Sequence, residues 1–204
     1  MGESLKDQNP AKVVDEVLDW WRQLVAPPET GQPSRRGELA ELRRAKNLEE
    51  VLFVPAYHRL FYRVSAQGWA HGPSVAAIAG LLAHVKGDTA MAGQIPSDAT
   101  AQEEQRQSKA PDTVAALLAA PVKPGLGPRV SESRFQRLVA IRELPVLYPN
   151  LLRIIHLAGD RVPVRDLIQS VRYWNDRQRR DWTFRYYTAL LGNEGKAPAQ
   201  TQGA

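Results

Sequence analysis

The sequence predicts an all-α protein, a two-lobed helical bundle with no sheet and a long flexible segment between its halves. Three observations predict this. Apolar residues recur at three- and four-residue intervals in segment after segment, and proline and glycine punctuate those segments at their ends. No stretch alternates apolar and polar residues as a half-buried strand would.

The first element starts at Pro10, a residue suited to a first helical turn because its missing N–H has no intrahelical partner there. Val13, Val14, Val17, Leu18, Trp21, Leu24 and Val25 then form one stripe that Pro27-Pro28 ends. A loop over 29–37 leads into a short helix over 38–45. The run 48–67 contains Pro55, which starts or kinks a helix at that point. Residues 73–86 form a helix of small residues with Pro73 just inside its start. These elements make an N-terminal lobe over 10–87. From 88 to 130 Ala, Gln, Ser, Gly and Pro dominate, and only 112–120 reads as a short helix, so the segment is expected to be a variable linker or insertion. The C-terminal lobe, 131–191, divides into helices over 131–142, 145–158, 163–176 and 177–191. Residues 1–9 and 192–204 are polar or small and are expected to be disordered tails.

Composition narrows the function classes. The chain has 204 residues and no cysteine, which excludes disulfides, Cys-ligated zinc and thiol catalysis. No segment has the roughly 18 apolar residues of a membrane span, and the N-terminal residues do not read as a signal peptide, so a cytoplasmic protein is expected. His58, His71, His84 and His156 are the histidines, and no two share a helical turn, so neither a metal nor another cofactor is expected. There is no Gly-x-Ser-x-Gly elbow and no short-range Ser, His and Asp grouping. Gly125-Leu126-Gly127 follows no strand and lacks the Lys-Ser/Thr ending of a phosphate loop. The expectation is a protein that is not an enzyme.

The basic residues are where the sequence becomes specific. Of 27 Lys and Arg, 20 are Arg, and from 129 to 185 twelve Arg stand against six acids. A guanidinium bonds phosphate bidentately and stacks on bases, whereas an ammonium is a mobile point charge. Arg134 and Arg137 lie three residues apart on one helix face while Phe135, Leu138 and Val139 supply the core side. Arg142 emerges at that helix end, Arg153 lies beside the apolar run of the next helix, and Arg177, Arg179 and Arg180 crowd the turn before Trp182. In the N-terminal half, Arg43 and Arg44 end a short helix and Arg59 and Arg63 are i,i+4 neighbours. Two plainer accounts compete: Arg-favouring codons of a GC-rich genome, and a solvated charged face in which Arg177 pairs with Asp181. Trp174, Tyr173, Trp182, Tyr186 and Tyr187 could stack on bases, though their helical spacing also fits a core.

In order along the chain, Glu41-Leu-Arg-Arg-Ala45, Val54-Pro-Ala-Tyr-His-Arg-Leu60, Arg134-Phe-Gln-Arg-Leu138, Leu151-Leu-Arg-Ile-Ile155, Asp166-Leu-Ile and Tyr173-Trp174 resemble the CasB family, the small subunit of the type I-E CRISPR Cascade surveillance complex. The resemblance spans about residues 10 to 190 and implies a non-catalytic, two-lobed helical subunit. It also implies two head-to-tail copies bracing the backbone subunits that hold guide RNA, with a groove for the target and displaced DNA strands. Carried over residue by residue, the nucleic-acid-binding candidates are Arg43, Arg44, Arg59, Arg134, Arg137 and Arg153, followed by Arg142, Arg177 and Arg179. The implied partners are other Cascade subunits, a second copy, guide RNA and both DNA strands. The alternative is a purely protein-binding scaffold whose arginines meet acidic partner surfaces.

Overall fold

A computed structural model describes residues 10–26, 35–90, 111–123 and 126–194. Over those residues the regular elements are helices, apart from one pair of two-residue strands. Expectations for 1–9, for Pro27-Pro28 and the loop as far as residue 34, for 91–110, for 124–125 and for 195–204 lie outside the described residues.

Helix α1 (Pro10–Val25) buries Val13, Val14, Val17, Leu18, Trp21 and Leu24 as the spacing predicts, and Trp20 as well. Helix α2 (Arg36–Arg44) precedes a break in the 48–67 run. There α3 (Leu48–Val51) is capped by the Asn47 side chain, which accepts from the Glu50 N–H, and α4 (Pro55–Ala66) begins on Pro55. Helix α5 (Gly72–His84) is buried on every side from Ser74 to Ala83, as a helix without a polar face must be. It packs against α1 to α4. It also packs on α8 (Leu144–Leu157) and α9 (Val164–Arg172), which lie in the C-terminal half of the sequence.

Small residues let α8 approach α5 closely. A Cβ added at Gly80 would stand 2.4 Å from the Tyr148 hydroxyl and 2.8 Å from its ring, well inside contact distance. Tyr148 is 1% exposed and has no room to swing away. We therefore expect Gly80→Ala to destabilise the fold by about 1–3 kcal/mol, the usual cost of overpacking. A denaturant titration of a double-mutant cycle with Tyr148→Phe, which removes the nearest atom, should recover part of that loss. Full stability in Gly80→Ala alone would show that the two helices are not held at this distance.

Within the expected linker, the short helix anticipated over 112–120 forms and is packed. Helix α6 (Val114–Ala119) is capped by Thr113, buries Val114, Ala115, Leu117, Leu118 and Ala119, and lies along α10 (Asp176–Glu194). The Val114 N–H donates to Asp166 Oδ2 of α9 at 2.8 Å. Burial of that carboxyl raises its pKa, since the charged form is the one desolvated. Helix α7 (Glu132–Ala140) also packs on α10. Helix α10 runs through residues 192–194, where the sequence suggests the start of a tail. Inside it, Trp182, Tyr186 and Leu190, four residues apart, are the buried face. The Trp182 indole donates to the hydroxyl of buried Ser170 at 2.8 Å, tying α10 to α9. Buried residues from Val13 to Leu190 form one hydrophobic cluster.

The fold is all-α as expected, and its one extended feature among the described residues is a minimal strand pair. Strands β1 (Gly87–Asp88) and β2 (Arg161–Val162) pair in parallel, Gly87 beside Arg161 and Asp88 beside Val162. The chain reaches β2 through a left-handed turn at the end of α8. Gly159, at φ 72°, donates to His156, and Asp160, at φ 62°, donates back to Ile155. That pattern satisfies the last helical carbonyls and redirects the backbone.

Candidate nucleic-acid interface

Three of the arginines expected to bind nucleic acid meet in one cleft. In α7, Phe135 and Leu138 take the core, which turns Arg134 and Arg137 to solvent on one face. In α8, Leu151, Ile154 and Ile155 are buried, which leaves Arg153 exposed. Between them lies a cleft of about 320 Å³ with Arg134, Arg137, Arg153 and Asn150 around apolar Leu138, Ile141 and Ile154. Arg137 Nε donates to the Ser133 carbonyl at 3.2 Å and Asn150 Nδ2 to the Val146 carbonyl at 2.8 Å. None of the three guanidiniums has a carboxylate partner among the described residues. A cleft lined by three uncompensated cations and no acid attracts a polyanion.

Arg142, Arg177 and Arg179 line a neighbouring depression with Trp174, Asn175 and Asp176, and there the positive charge is partly spent. Arg179 bonds the Asp176 carboxylate and donates to the Val139 carbonyl at 3.0 Å, with its side chain 14% exposed. It is a tie between α7 and α10 before it is a ligand for anything else. Arg142 stands 3.9 Å from Asp176. The Asp176 carboxyl is held below its ordinary pKa, first by the Arg179 hydrogen bond and then by the charges of Arg179 and Arg142. Arg177 is exposed, and Asp181, which the plainer account pairs with Arg177, is bonded by Arg185 at 2.8 Å.

The N-terminal candidates lie elsewhere. Arg43 Nε donates to the Ala83 carbonyl at 2.7 Å, closing the end of α5. Arg44 is exposed. Arg59 pairs with Glu38, while Arg63 donates to Gln23 Oε1 at 3.0 Å. Arginine counting misses Asn150, which has no local sequence signal, and does not separate anchoring arginines from free ones. Arg172 shows the difference: it is 8% exposed, lies 4.9 Å from the Trp69 ring centre and 4.8 Å from that of Tyr173, and donates to the Pro10 carbonyl. Of the aromatics weighed as stacking groups, Trp182 and Tyr186 are core, and Trp174 donates to the Ile141 carbonyl at 2.8 Å.

The fold brings two histidines together that the sequence keeps apart. His84 and His156 meet edge to face at 5.3 Å between ring centres, and His156 Nδ1 lies 2.7 Å from Asp160, which Lys86 also bonds at 2.8 Å. Burial, then the nearby His156 and Arg43, lower the His84 pKa. Among the described residues no group of three or more His, Asp or Glu is placed to hold a metal ion. Nor is any described helix long and apolar enough to cross a membrane.

The family model described as CRISPR-associated protein Cse2 matches residues 38–187. No curated protein matches the chain in sequence. Among solved structures, a chain in a crystal structure of E. coli Cascade bound to a PAM-containing dsDNA target is similar in fold. Its TM-score is 0.57 at 14% identity, over 86% of this chain and 96% of that one.

Proposed function

The chain belongs to the family of CRISPR-associated protein Cse2, the CasB family its motifs resemble, and we propose that it is the non-catalytic small subunit of a type I-E Cascade complex in the cytoplasm. In this reading it packs beside the backbone and large subunits and a second copy of itself, close to guide RNA. Its arginines contact target and displaced DNA strands and so favour the open R-loop in antiviral defence. Opening an R-loop exchanges one set of base pairs for another of similar stability, so a few backbone contacts suffice to tip it. The observation that supports this most is the cleft of Arg134, Arg137 and Arg153, because acid-free convergence of guanidiniums from two helices is what a phosphate chain requires. The similar fold found in a DNA-bound Cascade supports it as well.

Affinity purification of the tagged chain from cells expressing a guide RNA and the partner subunits tests the reading. Guide RNA and large helical partners should come down together, and digestion with RNase and DNase should release a substantial part of the partner material. Partners retained in full after digestion would replace this reading with that of a protein-binding scaffold whose arginines meet acidic subunit surfaces.

A further inference from the structure

On the other side of the sequence, α4 presents His58, Arg59, Tyr62 and Arg63 on successive turns. With Trp20 of α1 and Arg35, which precedes α2, they line a concavity of about 440 Å³. Its lining includes three guanidiniums and no carboxylate. Glu38 neutralises Arg59, but Arg63 donates to the neutral amide of Gln23, and neither Arg63 nor Arg35 has a carboxylate partner among the described residues. Tyr62 is 79% exposed, a large ring left in water beside these cations.

We propose that this concavity is a second nucleic-acid contact, at which one base of a single strand stacks on the Tyr62 ring while Arg35 and Arg63 hold the flanking phosphates. The proposal rests on the reading of the chain as a nucleic-acid-binding subunit and adds to it a stacking site distinct from the α7–α8 cleft. An aromatic face next to guanidiniums fits a single strand, because every base offers a π-face once it is unstacked and every linkage offers a charge. A duplex hides its base faces and would use the arginines alone. An acidic protein segment would likewise satisfy the cations without needing the ring.

The test is fluorescence anisotropy of the full chain with a 20-residue oligo(dT) and with an abasic oligomer of equal length. Tyr62→Ala should weaken oligo(dT) binding about 10-fold, Tyr62→Phe should bind as the parent does, and the abasic oligomer should not distinguish Tyr62→Ala from the parent. Because Tyr62 is exposed, the fold should not change, and a thermal melt of each variant checks this. Unchanged oligo(dT) affinity in Tyr62→Ala overturns the proposal, as does an equal loss on the abasic oligomer. If Tyr62→Ala is silent while replacing Arg134, Arg137 and Arg153 weakens binding, only the stacking contact falls. If the parent binds neither oligomer, the nucleic-acid reading falls with it.

Discussion

Replacing Arg134, Arg137 and Arg153 together by alanine is expected to weaken single-stranded DNA binding by about 100-fold at 0.1 M salt. On a single strand each neutralised phosphate contributes about 0.7 to the slope of log affinity against log salt, so three lost contacts remove about 2 from that slope. Extrapolated from a 1 M reference, this amounts to about two decades at 0.1 M, or about 2.8 kcal/mol, and shrinks to roughly tenfold at 0.3 M. The three side chains are exposed and have no carboxylate partner among the described residues, so stability should stay within about 0.5 kcal/mol of the parent. Lysine at the same positions should keep the slope while losing the bidentate contacts. A gel-shift titration at several salt concentrations reads both quantities. An unchanged slope in the alanine variant would remove the cleft from the binding surface, whatever the affinity did.

That prediction depends on distinguishing arginines that the sequence presents as equivalent. The helices themselves are legible because their determinants are local: Pro10 and Pro55 start helices where they stand, and Phe135 and Leu138 recur on one face. The partners of the helices are not local. The all-apolar character of α5 announces burial, but only packing shows that it sits on α8 and α9. The same holds for charge. Arg134 and Arg179 belong to one arginine-rich stretch, yet Arg134 faces an open cleft whereas Arg179 is fixed by Asp176 and the Val139 carbonyl. Asp181 has Arg177 four residues before it and Arg185 four residues after it, and its bonded partner is Arg185. Spacing alone permits either choice. Residues 87–88 and 161–162 carry no strand pattern, and they pair because the ends of α5 and α8 bring them side by side.

The largest effect on the fold is expected at the residue between the two cleft arginines of α7. Phe135 is fully buried, stacked on Tyr186 with 3.9 Å between ring centres and edge to face with Tyr187 at 6.5 Å. Tyr186 is itself anchored, its hydroxyl donating to the Val130 carbonyl at 2.6 Å, so it cannot collapse into a vacated space without losing that bond. Phe135→Ala should therefore leave a cavity and cost about 3–5 kcal/mol, part of it the ring pairing that adds to simple burial. Against a typical total of about 5–15 kcal/mol, that is roughly a fifth or more of the stability, seen as a fall of about 6–20 °C in Tm. Phe135→Leu, which refills most of the volume, should cost distinctly less. Because Arg134 and Arg137 flank this residue, α7 in Phe135→Ala should exchange its amide hydrogens faster, and nucleic-acid affinity should drop through misplacement of the two guanidiniums. Arg153 lies on α8 and keeps its place, so the salt slope should fall by at most about 1.4, for two contacts, against about 2 in the triple arginine variant. A loss below about 1 kcal/mol in a denaturant titration would mean that α7 is not held by this ring, and that another contact keeps its arginines in the cleft.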